Sequence, residues 1–483
     1  MSDGRVKSLL GGETEYAIGA TRANGEAIEQ GHLLRLFMDS VRMSLPYTSV
    51  SEGGRFLRNG GLLYLDCGLH MEWATPECTS PHDVVRYLRA GDRMVLAMAE
   101  QFRLRSPWVA EVFCSRCNVD YLSGTAWASH ESFLHATEPQ RLPAQFIPFL
   151  ASRVIFAGAG GWDFEAPGLR FTLSPRAGLI TKVTAPDSQH VRPLFHTKDE
   201  TLSHTGTRRL HVACSETLCS DVATLLRFGT TALVLALVGD GGSPGDAVAL
   251  KAPLAALWRF ARDPGCRARV RLTNERRVTA IDIQRHYLTA VEERLDTDAM
   301  PAWAESVCAL WRRTLDDLEA DPARCGGRLD WAIKQRVYAE FLRRHGIEWA
   351  SLPALNAALE ARRAHGDMAD SVVEPLARLA GLRQQLFELD MRFGELGERG
   401  VFNGLDRAGV LDHQVAGVDD IEGAMNTPPR DTRAAVRGQV VQRLTEDGTR
   451  YRAEWMQVVD LDQGRVLDLG DPFEPVERWI GCR

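Results

Sequence analysis

Acidic side chains inside apolar, strand-like segments most limit what this chain can fold into. Glu13 and Glu15 lie in a stretch that predicts a β-strand over residues 13–20. Because side chains alternate along a strand, both carboxylates project from one face. Like charges on one sheet face repel each other unless a cation lies between them. A solvated edge strand with two surface glutamates is the alternative, and this segment alone does not decide between them.

A second acidic segment follows, with a predicted strand at residues 62–65 and a further segment at residues 71–75. Tyr64 and Asp66 share one face, and Glu72 and Glu77 add two further carboxylates in an otherwise apolar stretch. Together the two segments contain too many acids for a core without metal, and Mg²⁺ prefers oxygen ligands of this kind. The chain contains no GxxxxGK[ST] loop, so a nucleotide would not bind in a P-loop. The residues therefore predict a sheet-based, magnesium-dependent site that suits a phosphorylated substrate.

The rest of the chain predicts an α+β fold. Ser80 is a predicted helix N-cap, residues 221–238 form a helix that is apolar almost all round, and residues 300–396 are largely helical. After about residue 410 the pattern changes to a small mixed segment, with strands predicted at 450–461 and 465–469. Strands first and helices later favour α+β over a doubly wound sheet. We therefore predict one domain over residues 1–410 and a small one over residues 411–483.

Composition excludes several classes of protein. Of 483 residues, 45% are hydrophobic and 25% are charged, which is typical of a soluble globular chain. The longest strongly apolar stretch, residues 231–238, is far shorter than the ~20 residues of a bilayer span, and the N-terminus lacks a signal-peptide pattern. The net charge of −7 does not call for nucleic acid. We predict a cytoplasmic protein with no membrane or nucleic-acid partner, and free, mostly packed cysteines.

Several motifs resemble one family, the Pup ligases and depupylases. The similarity is colinear over nearly the whole chain, and its most specific parts are the two acidic segments. The matching motifs are GGETEYAIG (residues 11–19), FLRNGGLLYLDCGLHMEWATPEC (56–78), SHESFL (129–134), RRLHV (208–212), AIDIQRHYL (280–288), DWAIKQRVY (330–338), TPPRDTRAAVRG (427–438) and DPFEPVERWI (471–480). The resemblance implies a glutamine synthetase-like fold, in which helices pack on a curved antiparallel sheet cradle and a small C-terminal α/β domain contributes to the nucleotide site.

The resemblance also implies roles for individual residues. Glu13, Tyr64 and Glu72 match magnesium-site positions, and Glu15, on the same strand face as Glu13, joins them as a candidate metal ligand. Asp66 matches the catalytic base. The nucleotide-binding candidates are Thr75 and Trp455, which match family positions, and Arg433 and Arg437, which lie four apart on a predicted helix; a solvated helix face is the alternative for the two arginines.

The implied activity is an ATP-dependent ligation with ATP and Mg²⁺ as cofactors. ATP phosphorylates the C-terminal glutamate of a small Pup-like modifier, whose gene-encoded C-terminus is Glu or Gln, and the lysine of a protein substrate then attacks to form an isopeptide bond. Lysine, with an unperturbed pKa of ~10.4, is protonated at neutral pH and must lose a proton before it attacks. A carboxylate fixed beside the amine, here Asp66, accepts that proton.

Two alternatives remain open at the level of sequence. Depupylases carry a long insertion between the two acidic segments, and the short stretch here resembles the ligase branch; a hydrolase of the depupylase or deamidase type would use the same acids. The family pattern has an ATP-contacting arginine two residues before the tyrosine, where this chain has Leu62. Alternation turns Leu62 toward the same face as Tyr64, with Arg55 or Arg58 as candidate replacements. The leucine at this position indicates a divergent ligase. It is also the reason for the alternative hypothesis that the chain is a catalytically inactive homologue that binds the modifier.

Overall fold

The structure is a computed structural model that describes most of the chain. The described residues are 7–45, 54–66, 68–163, 166, 168–187, 191–198, 200, 202–364, 374–412 and 414–481.

Strands and helices alternate in the first half of the chain, and helices dominate from about residue 220 to residue 446. The strands are β1 (Leu10–Arg22), β2 (Gly54–Phe56), β3 (Leu62–Leu65), β4 (Met71–Ala74), β5 (Val109–Ser115), β6 (Ser129–His135), β7 (Gly161–Trp162), β8 (Phe171–Thr172), β9 (Lys182–Ala185), β10 (Pro193–His196), β11 (Arg208–Val212), β12 (Val270–Arg271), β13 (Arg277–Val278), β14 (Tyr451–Ala453), β15 (Gln457–Asp460), β16 (Arg465–Asp468) and β17 (Trp479–Gly481). The helices are α1 (Gln30–Ser44), α2 (Pro81–Arg105), α3 (Leu142–Ser152), α4 (Val154–Ala157), α5 (Asp221–Gly239), α6 (Pro253–Ala261), α7 (Ala280–Glu292), α8 (Ala304–Ala320), α9 (Asp330–Arg344), α10 (Leu352–Ala364), α11 (Glu374–Phe393), α12 (Val401–Arg407), α13 (Val418–Asn426) and α14 (Arg433–Glu446).

An antiparallel sheet forms the centre of the molecule. Its strand order is β11-β6-β1-β4-β3-β2, and β5 pairs with the second half of β1. The predicted first strand, residues 13–20, lies within β1, and the predicted strand at 62–65 coincides with β3. Alternation along these strands separates two faces, because the fully buried Leu63 and Trp73 point away from the side on which Tyr64 and Glu72 lie.

Helices cover the apolar face of the sheet. The N-terminus of α2 is capped as the sequence predicts, since the Ser80 side chain accepts a hydrogen bond from the backbone N–H of Asp83. The helix contacts β1, β4 and β5. Its Gly91 allows a close approach to the sheet, because a Cβ at that position would lie 2.3 Å from the Trp73 indole. This packing fixes β4, and with it Glu72, relative to the helical layer.

The long apolar helix is α5, as predicted. By length and composition α5 could cross a membrane, but 89% of its most apolar window is buried inside the fold. It contacts α2, α7 and α8, which makes it a core helix of the main domain. The eight described cysteines are free, and seven of them are buried, in agreement with the prediction of packed thiols.

The C-terminal segment contains a second, smaller hydrophobic cluster. Residues from Val436 to Leu469 pack on one another and on Phe56, and β14-β15-β16-β17 form a separate antiparallel sheet. The predicted strand over residues 450–461 is wrong in one respect, because the chain turns at residues 454–456 and forms two paired strands. Helix α13 contacts α2 and contributes Ala424 to the main core. The boundary at residue 410 stays a prediction.

Candidate active site

Strand register brings the predicted acids together on the open face of the sheet. Glu15, Glu72 and Tyr64 occupy paired positions on β1, β4 and β3. Two residues along on the same face, a second row of paired positions contains His130, Glu13, Ala74 and Leu62. The four residues predicted to hold a metal, Glu13, Glu15, Tyr64 and Glu72, are therefore neighbours on one surface.

A histidine lies among the three glutamates. His130 Nδ1 is 3.0 Å from Glu13 Oε2 and 3.5 Å from Glu72 Oε1, and its Nε2 is 3.9 Å from Glu15 Oε1. Burial alone would lower the pKa of His130, but the hydrogen bond to Glu13 and the surrounding negative charges raise it to about 9. His130 is thus held as a cation by an excess of carboxylates.

The glutamates themselves respond to that crowding. Burial raises the pKa of Glu13, but the hydrogen bond with His130 and the positive charge of Arg209 outweigh burial and lower it. Burial raises the pKa of Glu72, and the negative charge of Glu13 adds to this effect. The pKa of Glu13 is lowered and that of Glu72 is raised, so the positive charges nearby stabilise the ionised form of Glu13 but not that of Glu72.

The donor set fits a divalent cation such as Mg²⁺. Oε1 of Glu72 is buried and accepts no hydrogen bond from any residue that the structure describes. Oε2 of Glu15 accepts a hydrogen bond from the backbone N–H of Ala128 at 2.7 Å, which fixes that carboxylate. Three carboxylates and the Tyr64 hydroxyl supply oxygen ligands of the kind that a hard cation prefers. Ligand atoms of Glu15, Glu72 and His130 lie within 4.8 Å of one another, and a bound cation would satisfy Glu72 Oε1, which now has an ion-pair contact with His130 Nδ1 at 3.5 Å.

Asp66 lies at one end of this acidic group, in the connection between β3 and β4. Its Oδ1 accepts the backbone N–H of His70 at 2.6 Å, and the His70 Nδ1 is 3.5 Å from Asp66 Oδ2 and 3.3 Å from Glu15 Oε2. Burial raises the pKa of Asp66, but the hydrogen bonds from His70 outweigh it and lower the pKa. Asp66 is therefore a half-buried, ionised carboxylate at neutral pH, as a general base must be.

The same connection contains a strained residue. Leu69 has φ = +59°, and 54% of the residue's surface is exposed. A left-handed backbone costs a residue with a Cβ about 1 kcal/mol or more, and Gly or Asn adopts it more easily. Leu69 N–H bonds to the Asp66 carbonyl, and Asp66 N–H bonds to the His70 carbonyl, so the turn is fixed on both sides.

A cleft lies at the opposite end of the same strands. Glu13, Thr75, Trp455, Arg209 and Arg433 contribute to its lining, together with Gly11 and Gly12. The Thr75 hydroxyl accepts the backbone N–H of Gly12 at 3.1 Å. Three of the four residues predicted to bind nucleotide therefore border one cleft. It adjoins the acidic group through Glu13, and about 10 Å of strand separate Thr75 from Glu72.

The fourth residue, Arg437, lies behind the cleft and is fully buried. Its guanidinium bonds to both carboxylate oxygens of Glu77 and to the carbonyls of Gly60 and Trp455. Arg433 also bonds to Glu77, at 2.6 Å. Burial raises the pKa of Glu77, but the two guanidinium charges outweigh burial and lower it to about 2. This ion cluster joins α14 to the end of β4, so the geometry favours a positioning role for Arg437 over contact with a nucleotide.

Leu62 turns toward the open face, as alternation predicts, and packs on the small C-terminal cluster near Trp455. The two candidate replacements for the family's arginine do not lie on that face. Arg55 pairs with Leu63, on the covered face, and Arg58 bonds to Asn426. Arg209 approaches the acidic group instead, because its Nη2 is 3.6 Å from Glu13 Oε1.

Sequence reasoning missed Arg209 and Trp127. Sequence analysis included Arg209 only as part of the RRLHV motif. The signal that could have identified it is its position two residues before His211 on the same predicted strand face. Trp127 precedes the SHESFL motif, and its ring lies 5.8 Å from the His70 ring. Neither contact follows from local sequence, because β6, β11 and the 66–70 turn meet only through the sheet order.

Comparison with known proteins identifies the family. The sequence model of the family described as Pup-ligase protein matches residues 8–362 and 369–459. The chain belongs to this Pup-ligase family. Pup–protein ligase 1 of Rhodococcus erythropolis and the Pup–protein ligase of Nocardia farcinica are each 31% identical to the chain over 486 residues, with 98% of both chains covered.

Solved structures support the fold of this family member. The ligase PafA in complex with the prokaryotic ubiquitin-like protein Pup is similar with a TM-score of 0.79 and 23% identity, over 97% of this chain and 90% of PafA. PafA in complex with ADP gives a TM-score of 0.74 and 24% identity, over 93% and 92% of the two chains. The predicted α+β fold class is confirmed.

Proposed function

We propose that the chain is an ATP-dependent ligase that joins the C-terminal glutamate of a Pup-like modifier to a lysine of a protein substrate. The order of features along the strands is the observation that carries the proposal. The cleft with Thr75 and Trp455 lies at one end, the acidic group in the middle, and Asp66 at the other end. This order suits the proposed reaction, because the phosphoryl group would pass from a nucleotide in the cleft to a carboxylate at the acidic group, and the amine would then attack from the side of Asp66.

In this proposal the cleft binds ATP and the acidic group holds magnesium. Similarity to an ADP-bound PafA supports nucleotide binding. Glu13, Glu15, Tyr64 and Glu72 would hold the ion, which supplies charge neutralisation for the transferred phosphoryl group when bound. Thr75, Arg433 and Trp455 border the nucleotide, and Arg437 fixes the wall behind it.

The chemistry proceeds in two balanced steps. The γ-carboxylate of the modifier's terminal glutamate attacks the γ-phosphorus of ATP and ADP leaves, which converts a poor acyl donor into an acyl phosphate. The lysine ammonium gives one proton to Asp66, its nitrogen bonds to the acyl carbon, and the bond from that carbon to the phosphate oxygen breaks. The second proton of the attacking amine leaves with the phosphate as hydrogen phosphate. His70 holds the Asp66 carboxylate in place through its backbone N–H.

The partners follow from the reaction. The first is a Pup-like protein, as in the complex of PafA with Pup, and the second is a protein with an accessible lysine. A net charge of −7 and the burial of α5 are consistent with a protein that works in the cytoplasm without nucleic acid or membrane.

The test is a ligation assay with Pup that ends in glutamate, a lysine-bearing acceptor, ATP and Mg²⁺. The ligase proposal expects a covalent Pup conjugate and one ADP per conjugate, with both Pup and acceptor required for sustained ADP release. Release of free Pup from a preformed conjugate without stoichiometric ADP would replace the ligase proposal with a hydrolase. Absence of both reactions, together with no thermal shift on adding ATP and Mg²⁺, would leave an inactive homologue.

A further inference from the structure

An exposed apolar side chain stands next to the proposed base. Leu69 is three residues beyond Asp66, and 54% of its surface is exposed to solvent. Exposed leucines are common, but this one also has a left-handed backbone that leucine disfavours. A strained residue that the surrounding hydrogen bonds hold in place at a reaction site indicates a role for its side chain.

The turn fixes Leu69 relative to the reacting groups. Asp66 N–H bonds to the His70 carbonyl at 2.9 Å, Leu69 N–H bonds to the Asp66 carbonyl at 3.1 Å, and His70 N–H bonds to Asp66 Oδ1 at 2.6 Å. The backbone of Leu69 is therefore fixed relative to the Asp66 carboxylate.

An aromatic ring from another part of the chain lies beside His70, the residue that follows Leu69. The half-buried Trp127 ring lies 5.8 Å from the His70 ring. Its backbone is held on both sides, because Trp127 N–H bonds to the Asn118 carbonyl and the Trp127 carbonyl accepts from the buried Arg176. The next residue, Ala128, donates its N–H to Glu15. Trp127 is thus fixed to the strand that bears the metal-site acids.

We propose that Leu69 and Trp127 form the binding site for the acceptor lysine. This inference rests on the proposed ligase function and names the side-chain chemistry that the amine end recognises. A lysine combines a flexible four-carbon apolar stem with a compact cation. Leu69 contacts the stem and removes apolar surface from water, while the Trp127 ring attracts the ammonium before Asp66 takes its proton.

The first experiment measures steady-state ligation by the full chain with Pup, ATP, Mg²⁺ and a lysine-bearing peptide. Leu69→Asn keeps a residue that tolerates the left-handed turn and removes the apolar contact. We expect the KM for the peptide to rise about tenfold, with KM for ATP and for Pup unchanged and Tm not lowered. The matched control is Leu104→Asn, which replaces a leucine that is 58% exposed at the far end of α2.

The second experiment varies the acceptor and the ring. With the natural chain, a peptide that carries ornithine in place of lysine should bind more weakly, because its stem is shorter. Leu69→Asn should reduce that preference, since the stem contact is gone. Trp127→Phe should keep most of the activity, whereas Trp127→Ala should raise the KM for the peptide without changing ADP formation in the absence of acceptor.

The outcomes separate this inference from the function on which it rests. If the natural chain forms no conjugate, the ligase proposal fails. If it forms conjugate and Leu69→Asn leaves both the KM for the peptide and the lysine preference unchanged, the acceptor site is elsewhere and this inference is overturned. A loss of kcat with unchanged KM in Leu69→Asn would also overturn it, because the turn would then act only by holding Asp66.

Discussion

Glu15 and Glu72 occupy directly paired positions on β1 and β4, so two carboxylates lie side by side in the register of the sheet. Both residues are buried, with 6% and 2% of their surfaces exposed. Like charges directly opposite each other destabilise a strand pair. The fold therefore gives up stability at this point, and a bound cation would recover it.

Removal of one of these charges should stabilise the metal-free protein and weaken metal binding. We expect Glu72→Gln to raise the free energy of unfolding without Mg²⁺ by about 1 kcal/mol, because burial and the negative charge of Glu13 raise the pKa of the Glu72 carboxyl and disfavour its charged form, whereas glutamine has no charge. The increase in Tm that Mg²⁺ produces in the natural chain should disappear. Thermal unfolding with and without Mg²⁺ measures both effects. Glu100→Gln, on the exposed side of α2, is the control and should change neither. An unchanged Mg²⁺ response in Glu72→Gln would contradict the metal assignment.

Replacement of the proposed base should affect only the second step. Asp66→Asn keeps an acceptor for the His70 N–H but removes the proton-accepting carboxylate. We expect the rate of lysine ligation to fall about 100-fold or more. Hydroxylamine is unprotonated at neutral pH and needs no base, so hydroxamate formation from Pup and ATP should continue in the variant. Equal losses with lysine and with hydroxylamine would show that Asp66 serves the first step instead.

Much of the site was predictable because strand alternation is a local property. Glu13 and Glu15, or Leu62 and Tyr64, share a face whatever the sheet order is. The family resemblance then supplied the proposed role of Asp66, which stays a prediction. The location of His130 between the glutamates was not predictable in this way, because it depends on β6 pairing with β1 across more than 100 residues of chain.

The C-terminal residues illustrate the other limit of sequence reasoning. Helical spacing correctly placed Arg433 and Arg437 on one helix face, but spacing does not reveal what that face meets. Both guanidiniums meet the buried Glu77, and only Arg433 borders the cleft. The choice between a ligand contact and an internal ion pair depends on tertiary packing.

The indole of Trp455 should contribute to nucleotide binding. It borders the cleft, lies 5.1 Å from the Phe56 ring, and has the Arg437 guanidinium 4.9 Å from its own ring. We expect Trp455→Ala to raise the KM for ATP about tenfold, since an aromatic wall of the cleft is lost, and Trp455→Phe to keep most of the affinity. ADP titration by calorimetry measures the change directly. Trp108→Phe is the control for a tryptophan distant from the cleft, and equal affinity in Trp455→Ala would exclude the indole from the nucleotide site.

The Glu77 cluster should make the stability of the natural chain depend on pH in a defined range. The pKa of Glu77 is about 2 in the folded protein and 4.5 in the reference state, so its contribution is fully present above pH 4.5 and is lost as the pH falls through 2. The shift corresponds to about 3 kcal/mol. Glu77→Gln, which leaves Arg433 and Arg437 without a charged partner, should lower the free energy of unfolding at pH 7 by about 3 kcal/mol or more.

Comparison of the two chains across pH isolates this ion cluster from the other acids, which titrate in both. The difference in free energy of unfolding between the natural chain and Glu77→Gln should be constant from pH 7 to about pH 5 and shrink between pH 4.5 and 2. Denaturant unfolding followed by tryptophan fluorescence provides the measurement. A difference that stays constant down to pH 3 would mean that the Glu77 carboxylate does not hold the two guanidiniums, and the attachment of α14 to the sheet would need another explanation.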